Sequence, residues 1–374
     1  MDETDTSAAG EAPRNERTAH PTANPTAKKG RGALSNPANR FVSTRVEPAS
    51  DGWWQDDAPR SIVTEVIEEK VRTIISTNQS PDIPFEQSIN PYRGCEHGCI
   101  YCYARPSHAY WDMSPGLDFE TRIIAKPGAA ALLRKTLDHP KYVCKSINIG
   151  ANTDPYQPLE AKRRTTREVL EVLRAFNHPF SIITKSALIL RDIDILSEMA
   201  AKNLCSVAVS VTTLDNDLKR KLEPRTASPA ARLRTISALS DAGVRVALMA
   251  APIIPAINDS ELEDILEAGK AAGARTANYI FLRLPLEIAP MFREWLSEHY
   301  PDRANHVMSL VQQSRGGKDY KPGFHTRMSA EGVFAELLRK RFRVAAKRLG
   351  LFSDDRFELD TTQFRRSQHQ MDLF

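Results

Sequence analysis

No stretch of this 374-residue chain approaches the roughly 20 consecutive apolar residues that cross a bilayer, which argues against a helical membrane protein. The acidic, polar start lacks the apolar core of a signal peptide, so a cytoplasmic location is expected. Cysteine is scarce: there are five, and three fall between Cys95 and Cys102. An odd, clustered set in a reducing compartment excludes a disulfide framework and reads as a metal or cluster site. Cys144 and Cys205 stand alone in apolar surroundings and read as buried small hydrophobes. Excess charge of one sign is scarce too. A net charge of +4 does not by itself announce a nucleic-acid partner. The local exception runs from Arg339 to Arg348, with six basic residues and no acidic one, and Arg365-Arg366 follows. Such a run is either a solvated helix face or a phosphate-contacting surface.

What is present is an alternation. Residues 1–55 are polar and lack apolar periodicity, so they are expected to be mostly disordered. One island, Gly30 to Pro37 followed by Arg40-Phe41, mixes glycines, a Ser-Asn-Pro turn and an aromatic, and is expected to dock on the folded body. From Phe85 onward, β-branched runs recur at Phe85–Asn90, Ser146–Gly150, Phe180–Thr184, Ser206–Val211, Val244–Met249 and Ala277–Leu282. Their lengths and polar boundaries fit strands buried on both faces. Helical periodicity lies between them at 129–137, 166–175, 190–201, 229–241 and 261–271, with Asn258-Asp259-Ser260 as an expected N-terminal cap.

Six such units predict an α/β fold: an open, partial (β/α)6 barrel-like parallel sheet over 56–285. A helical C-terminal extension over 286–360 is expected to cap the open side, and 361–374 to form a flexible tail. Functional residues belong at the C-terminal ends of the strands.

One loop carries the chemistry: Gly94-Cys95-Glu96-His97-Gly98-Cys99-Ile100-Tyr101-Cys102. Thiolates separated by three and two residues can converge on one inorganic centre. Three cysteines would leave one iron of a [4Fe-4S] cluster without a protein ligand. Zinc is the competitor, with His97, His108 or Cys144 as fourth ligand, although no second CxxC pair exists.

The Cys-x3-Cys-x-aromatic-Cys pattern, with Tyr101 in the aromatic position, resembles the signature of the radical S-adenosylmethionine (SAM) superfamily. The resemblance covers about Phe85 to Leu284 and implies a [4Fe-4S] cluster on Cys95, Cys99 and Cys102. It also implies reductive cleavage of SAM to a 5′-deoxyadenosyl radical, with the electron supplied by a donor such as flavodoxin or ferredoxin. By the same resemblance, the later strand ends supply candidate SAM contacts: Thr153, Asp154, Lys185, Ser210, Arg225 and Arg283.

The segments Asn90–Tyr103, GANTDPYQP, SVTTLD and LEPRTASP are similar to the branch containing spore photoproduct lyase. In that branch a cysteine returns hydrogen to the product from a Cys-Thr-Ser-Asp run. Here the run is Ala151-Asn152-Thr153-Asp154, so the branch matches and the lyase reaction does not. The C-terminal Gln370-Met371-Asp372-Leu373-Phe374 resembles the motif by which bacterial proteins hold the sliding clamp, through Gln370, Leu373 and Phe374. The leading expectation is therefore a radical SAM enzyme acting on nucleic acid, of lyase or DNA-repair type. Modification of a protein or small molecule, and a non-catalytic zinc-binding DNA adaptor, are the alternatives.

Overall fold

A computed structural model describes residues 30–41, 63–352 and 357–366. The disorder expected over 1–55 falls, apart from the 30–41 island, outside the described residues, as does the end of the expected tail with Gln370, Leu373 and Phe374; residues 361–366 of that tail are not free but pack on the body. The strands are β1 (Glu65–Glu68), β2 (Ile75–Thr77), β3 (Gln87–Ile89), β4 (Tyr92–Arg93), β5 (Arg122–Ala125), β6 (Ile147–Ile149), β7 (Phe180–Thr184), β8 (Cys205–Ser210), β9 (Arg245–Ile253) and β10 (Thr276–Phe281). Seven of them form one sheet in the order β10-β9-β8-β7-β6-β3-β2, parallel except for β2 against β3. This is the expected α/β architecture, an open, barrel-like parallel sheet. The six expected units are its parallel strands, and β2 adds an antiparallel edge. A small second sheet, β1-β5-β4, was not expected.

Helices Ala129–Asp138, Thr165–Ala175, Ile193–Ala201, Pro229–Asp241 and Leu262–Ala271 join the strands. Their boundaries follow local chemistry. Ser228 accepts from the Ala231 N–H at 3.2 Å, Pro229 takes the first turn, and Gly243 ends the helix at φ +80°. Asn258 departs from its expected capping role. It accepts from the Ile254 N–H at 2.6 Å and donates to the Thr212 carbonyl at 2.7 Å, tying two strand ends together.

Only β6 is buried throughout, as expected of a strand covered on both faces; the longer strands are not. Burial alternates along β7, β8 and β9. Ile182, Val207, Val209, Val246 and Leu248 pack into the apolar core, while the other face lines a cavity of about 1970 Å3. Period-two alternation is what a curved sheet with a hollow interior requires. Cys205 packs in the core as expected, whereas Cys144 is half-buried and lines that cavity.

The C-terminal helices do not close the open side. Gly332–Arg348 packs on helix Leu262–Ala271, where Arg341 pairs with Glu263 and Arg348 with Glu267. Arg339 donates to the Ala330 carbonyl, and Arg343 and Lys347 stand over the Phe352 ring. Arg341 is half-buried in its ion pair, whereas Arg339, Lys340, Arg343, Lys347 and Arg348 remain exposed. Helices Ile288–His299 and Ala304–Gln313 instead share an apolar cluster with Cys99, Ile100 and Tyr101. The gap between the β2 and β10 edges is bridged by loops. Asp82 accepts from the Arg327 guanidinium and from the His325 amide, both at 2.6 Å.

At the opposite end, Phe364 packs against Tyr142, Phe176 and His178. The His178 Nδ1 lies 3.0 Å from the Pro179 carbonyl and its Nε2 lies 2.8 Å from the Tyr142 oxygen, whose hydroxyl donates to the Gln87 side-chain carbonyl at 2.9 Å. Burial lowers the pKa of His178 from 6.5 to about 4. A depressed folded pKa means stability is full above 6.5 and declines as pH falls toward 4. Urea unfolding at pH 7 and pH 4 should therefore differ by about 3 kcal/mol from this residue. His178→Phe should reduce the difference, and an unchanged difference would contradict the assignment.

Candidate active site

The cysteine loop starts immediately after β4 and is held at its backbone. The Cys95 amide donates to the Phe119 carbonyl at 2.8 Å, Ile100 to Leu222 at 3.1 Å, and Cys102 to Cys99 at 3.2 Å. Gly94 and Gly98 take positive φ, which lets the chain turn twice within five residues. Gln157 clamps the first turn: its side chain accepts from the Glu96 amide at 2.8 Å and donates to the Gly94 carbonyl at 3.2 Å. All three thiols are free and line the cavity.

The donor set suits an iron–sulfur cluster. Burial, then the charge of Asp154, pushes the Cys95 thiol up; burial, then Glu223, does the same for Cys99. Such thiols become thiolates only against strong positive charge. A closed zinc site is not preassembled: among the described residues no three His, Cys, Asp or Glu side chains are placed to hold a single ion, and Cys144 sits at the far end of β6.

The strand ends bring Thr153, Asp154, Lys185, Ser210 and Arg283 to the same cavity as the cysteines and Tyr101. Their bonding differs. Thr153 donates to the Tyr92 carbonyl at 2.9 Å. Asp154 accepts from Thr184 at 2.7 Å, the Lys185 amide at 2.8 Å and the Tyr156 amide at 2.9 Å, so it organises two strand ends. Burial alone would raise its pKa, but His97 and these amides outweigh that and hold it low. Ser210 lends its carbonyl to Arg232 at 3.0 Å, and its hydroxyl has no hydrogen-bond partner among the described residues. Arg283 lies over the Tyr103 ring at 4.4 Å and has no carboxylate partner among the described residues.

Arg225 is the exception. It does not line the cavity; it pairs with Glu96 at 3.2 Å on the outside of the loop, and its amide donates to the His97 carbonyl at 3.3 Å. The neighbour two positions earlier is the hub. Glu223, fully buried, accepts from Tyr101, Thr212 and Arg232 and lies 3.5 Å from the Lys185 Nζ. Burial alone would raise its pKa, but Arg232 and Lys185 outweigh it and hold the carboxyl well below the usual range. Tyr101 is thereby fixed beside the last cysteine, and its phenol is pushed up by burial and by Glu223.

A second carboxylate braces the loop from the other side. Glu120 accepts from the amides of Gly32 at 3.0 Å and Ala33 at 2.8 Å and pairs with Arg105. Arg105 in turn donates to the Cys99 carbonyl at 2.9 Å. The island at 30–41 thus docks, as expected, as a strap across the cysteine loop. Ser35–Glu294 at 2.8 Å and Arg40–Glu287 at 2.7 Å hold its remainder. A Cβ on Gly32 would overlap the Gly98 carbonyl, so Gly32→Ala should lift the strap. The expected readout is faster bleaching of the reconstituted cluster in air; wild-type bleaching would show that the strap tolerates the methyl.

Residues 89–269 match the radical SAM superfamily. An uncharacterized protein of Mycobacterium tuberculosis is 36% identical over 265 residues, 70% of this chain and 76% of the relative. An uncharacterized protein of Methanocaldococcus jannaschii is 26% identical over 64% of this chain and 85% of its own length. Among solved structures, a mutant of spore photoproduct lyase with bound AdoMet and dinucleoside spore photoproduct superposes with TM-score 0.56. That superposition covers 82% of this chain and 85% of the lyase at 14% identity, a likeness of fold.

Proposed function

The chain belongs to the radical SAM superfamily, and from that premise we propose that it acts on nucleic acid, on a damaged or modified base. Membership implies a [4Fe-4S] cluster on Cys95, Cys99 and Cys102, with SAM beside it. Bound together, the two supply reductive cleavage of the SAM sulfonium and a 5′-deoxyadenosyl radical. The protein's part is to hold the loop through Glu223, Gln157 and Glu120, to keep Tyr101 fixed, and to enclose the reaction.

The observation that carries the reading is the cavity. At about 1970 Å3 it has room for a substrate beside the cluster and SAM, and it runs continuously from the cysteines. Arg283, with no carboxylate partner among the described residues, stands on its lining. A structural neighbour that holds a dinucleoside lesion supports the same reading. The hydrogen-returning thiol of that lyase has no counterpart in Ala151-Asn152-Thr153-Asp154, so the repair-type reaction here differs in how the product radical is quenched.

The test is the yield of 5′-deoxyadenosine with and without single-stranded or lesion-bearing DNA. DNA should raise the yield, and the rise should shrink steeply between about 50 and 200 mM salt, as phosphate contacts do. A yield indifferent to DNA but raised by protein or small-molecule fractions would transfer the chemistry to that substrate class.

The proposal extends to partners: flavodoxin or ferredoxin as electron donor, and the bacterial sliding clamp through Gln370, Leu373 and Phe374. Arg366 donates to the carbonyls of Pro140 at 2.9 Å and Tyr142 at 3.1 Å, at the end of the sheet opposite the cysteine loop. Removal of residues 370–374 should abolish co-migration with the clamp; retained co-migration would reduce the motif to coincidence.

A further inference from the structure

The inner face of the sheet carries a row of hydrogen-bonding side chains below the cysteine loop. Register places Ser88 beside Asn148, Asn148 beside Ser181, Ser181 beside Ser206, and Ser206 beside Arg245. All five line the cavity. The next inward row toward the cysteines contains Ile183, Ala208 and Ala247, and its two alanines project little into the lumen. Lys185 stands four residues above Ser181, roughly 13 Å at strand spacing, so the polar row lies clear of the cluster loop.

Two features of the row lack protein partners. Asn148 is 3% exposed; its amide nitrogen donates to the Ser181 hydroxyl at 3.0 Å, but its carbonyl oxygen has no donor among the described residues. A buried acceptor left without a donor costs about 1–3 kcal/mol, and a ligand N–H or O–H removes that cost. Arg245 has no carboxylate partner among the described residues; its guanidinium carbon stands over the Phe357 ring at 4.0 Å. A contact with a ring consumes none of the guanidinium N–H donors as a carboxylate would, so they remain available to an anion. Three strand intervals of about 4.8 Å separate Asn148 from Arg245, roughly 14 Å along the curve of the sheet. That is the scale of a nucleotide from base edge to phosphate.

We infer that this row is the substrate subsite, that it takes one nucleotide unit, and that Asn148 and the serines meet its neutral polar groups while Arg245 meets its phosphate. The inference rests on the reading that the substrate is nucleic acid, and it specifies where that substrate is held. A base in a duplex cannot reach the row; it must be single-stranded or turned out of the stack, which a damaged base does at least cost. The serines are short, so they orient the ligand without filling the lumen. No charged side chain interrupts the row between Ser88 and Ser206, which suits a neutral base and sugar.

The experiment uses anaerobically reconstituted full-length holoenzyme with SAM present, and measures binding of a nucleoside, its 5′-monophosphate and a short single-stranded oligonucleotide. The monophosphate should bind at least about tenfold more tightly than the nucleoside, the scale of a charge-assisted hydrogen bond. Arg245→Gln should erase that difference while leaving nucleoside binding as in wild type, which also shows that the variant is folded. Asn148→Ala should weaken nucleoside and nucleotide alike. Tighter binding of the oligonucleotide than of the monophosphate is expected; equal binding would assign the row to a free nucleotide and overturn the nucleic-acid reading on which the inference rests. No preference for the phosphate, or wild-type binding by both variants, would overturn the inference. If the holoenzyme cleaves SAM yet binds no nucleotide, the row fails while the radical chemistry stands. If it cleaves no SAM with a full cluster, the proposed function fails first.

Discussion

Glu223→Ala is expected to destabilise the protein by about 3–5 kcal/mol, because it leaves the buried Arg232 guanidinium without its counter-charge. The Lys185 ammonium, 3.5 Å from the same carboxylate, loses its partner as well. Urea unfolding of the apoprotein reads the effect directly. Because Glu223 also receives the Tyr101 hydroxyl, the variant should retain less iron after reconstitution than wild type. A midpoint within about 1 kcal/mol of wild type would mean that Arg232 finds other acceptors, and that the carboxylate is not the hub of the loop. Glu223→Gln separates charge from shape. It preserves the side-chain outline and removes the negative charge, so its stability should fall between the two.

Glu120→Ala should have an effect of the same order, about 3–5 kcal/mol, since Arg105 and Glu120 are both fully buried. Its second consequence is positional. Glu120 is the shared acceptor of the Gly32 and Ala33 amides, and Arg105 passes the contact on to the Cys99 carbonyl. Loss of the carboxylate frees the strap and relaxes the loop together, so limited proteolysis should cut near residues 30–41 faster while the iron content falls. Unchanged proteolysis would show that Ser35–Glu294 and Arg40–Glu287 hold the strap by themselves.

The parts of this account that were legible in the sequence are those fixed by short-range patterns. Three cysteines spaced by three and two residues define their loop without outside help. The six β-branched runs appear as the six parallel strands because each carries its own turn signals. Glu223, Glu120 and Gln157 were not legible, since each has a deciding partner far away in the chain. The Tyr101–Glu223 contact spans 122 positions and the Gly32–Glu120 contact 88. Arg225 was selected for its charge, whereas the burial of Glu223, two positions earlier, decides which of the two supports the loop. One signal was present and overlooked. Serine, asparagine and alanine alternate with Ile and Val in Ser146–Gly150 and Ser206–Val211, which marks one face of each strand as a polar lumen. The small sheet β1-β5-β4 left no such trace, because its strands are two to four residues long and pair across distant segments.

The central claim is that Cys95, Cys99 and Cys102 hold a cluster that drives SAM cleavage. The measurement that tests it most directly is made without oxygen: reconstituted protein is reduced with dithionite, given SAM, and assayed for 5′-deoxyadenosine by mass spectrometry beside Cys99→Ala. The account predicts about four irons per chain, 5′-deoxyadenosine from the wild type, and loss of the product in the variant. Wild-type protein with a full complement of iron that releases no 5′-deoxyadenosine would contradict it.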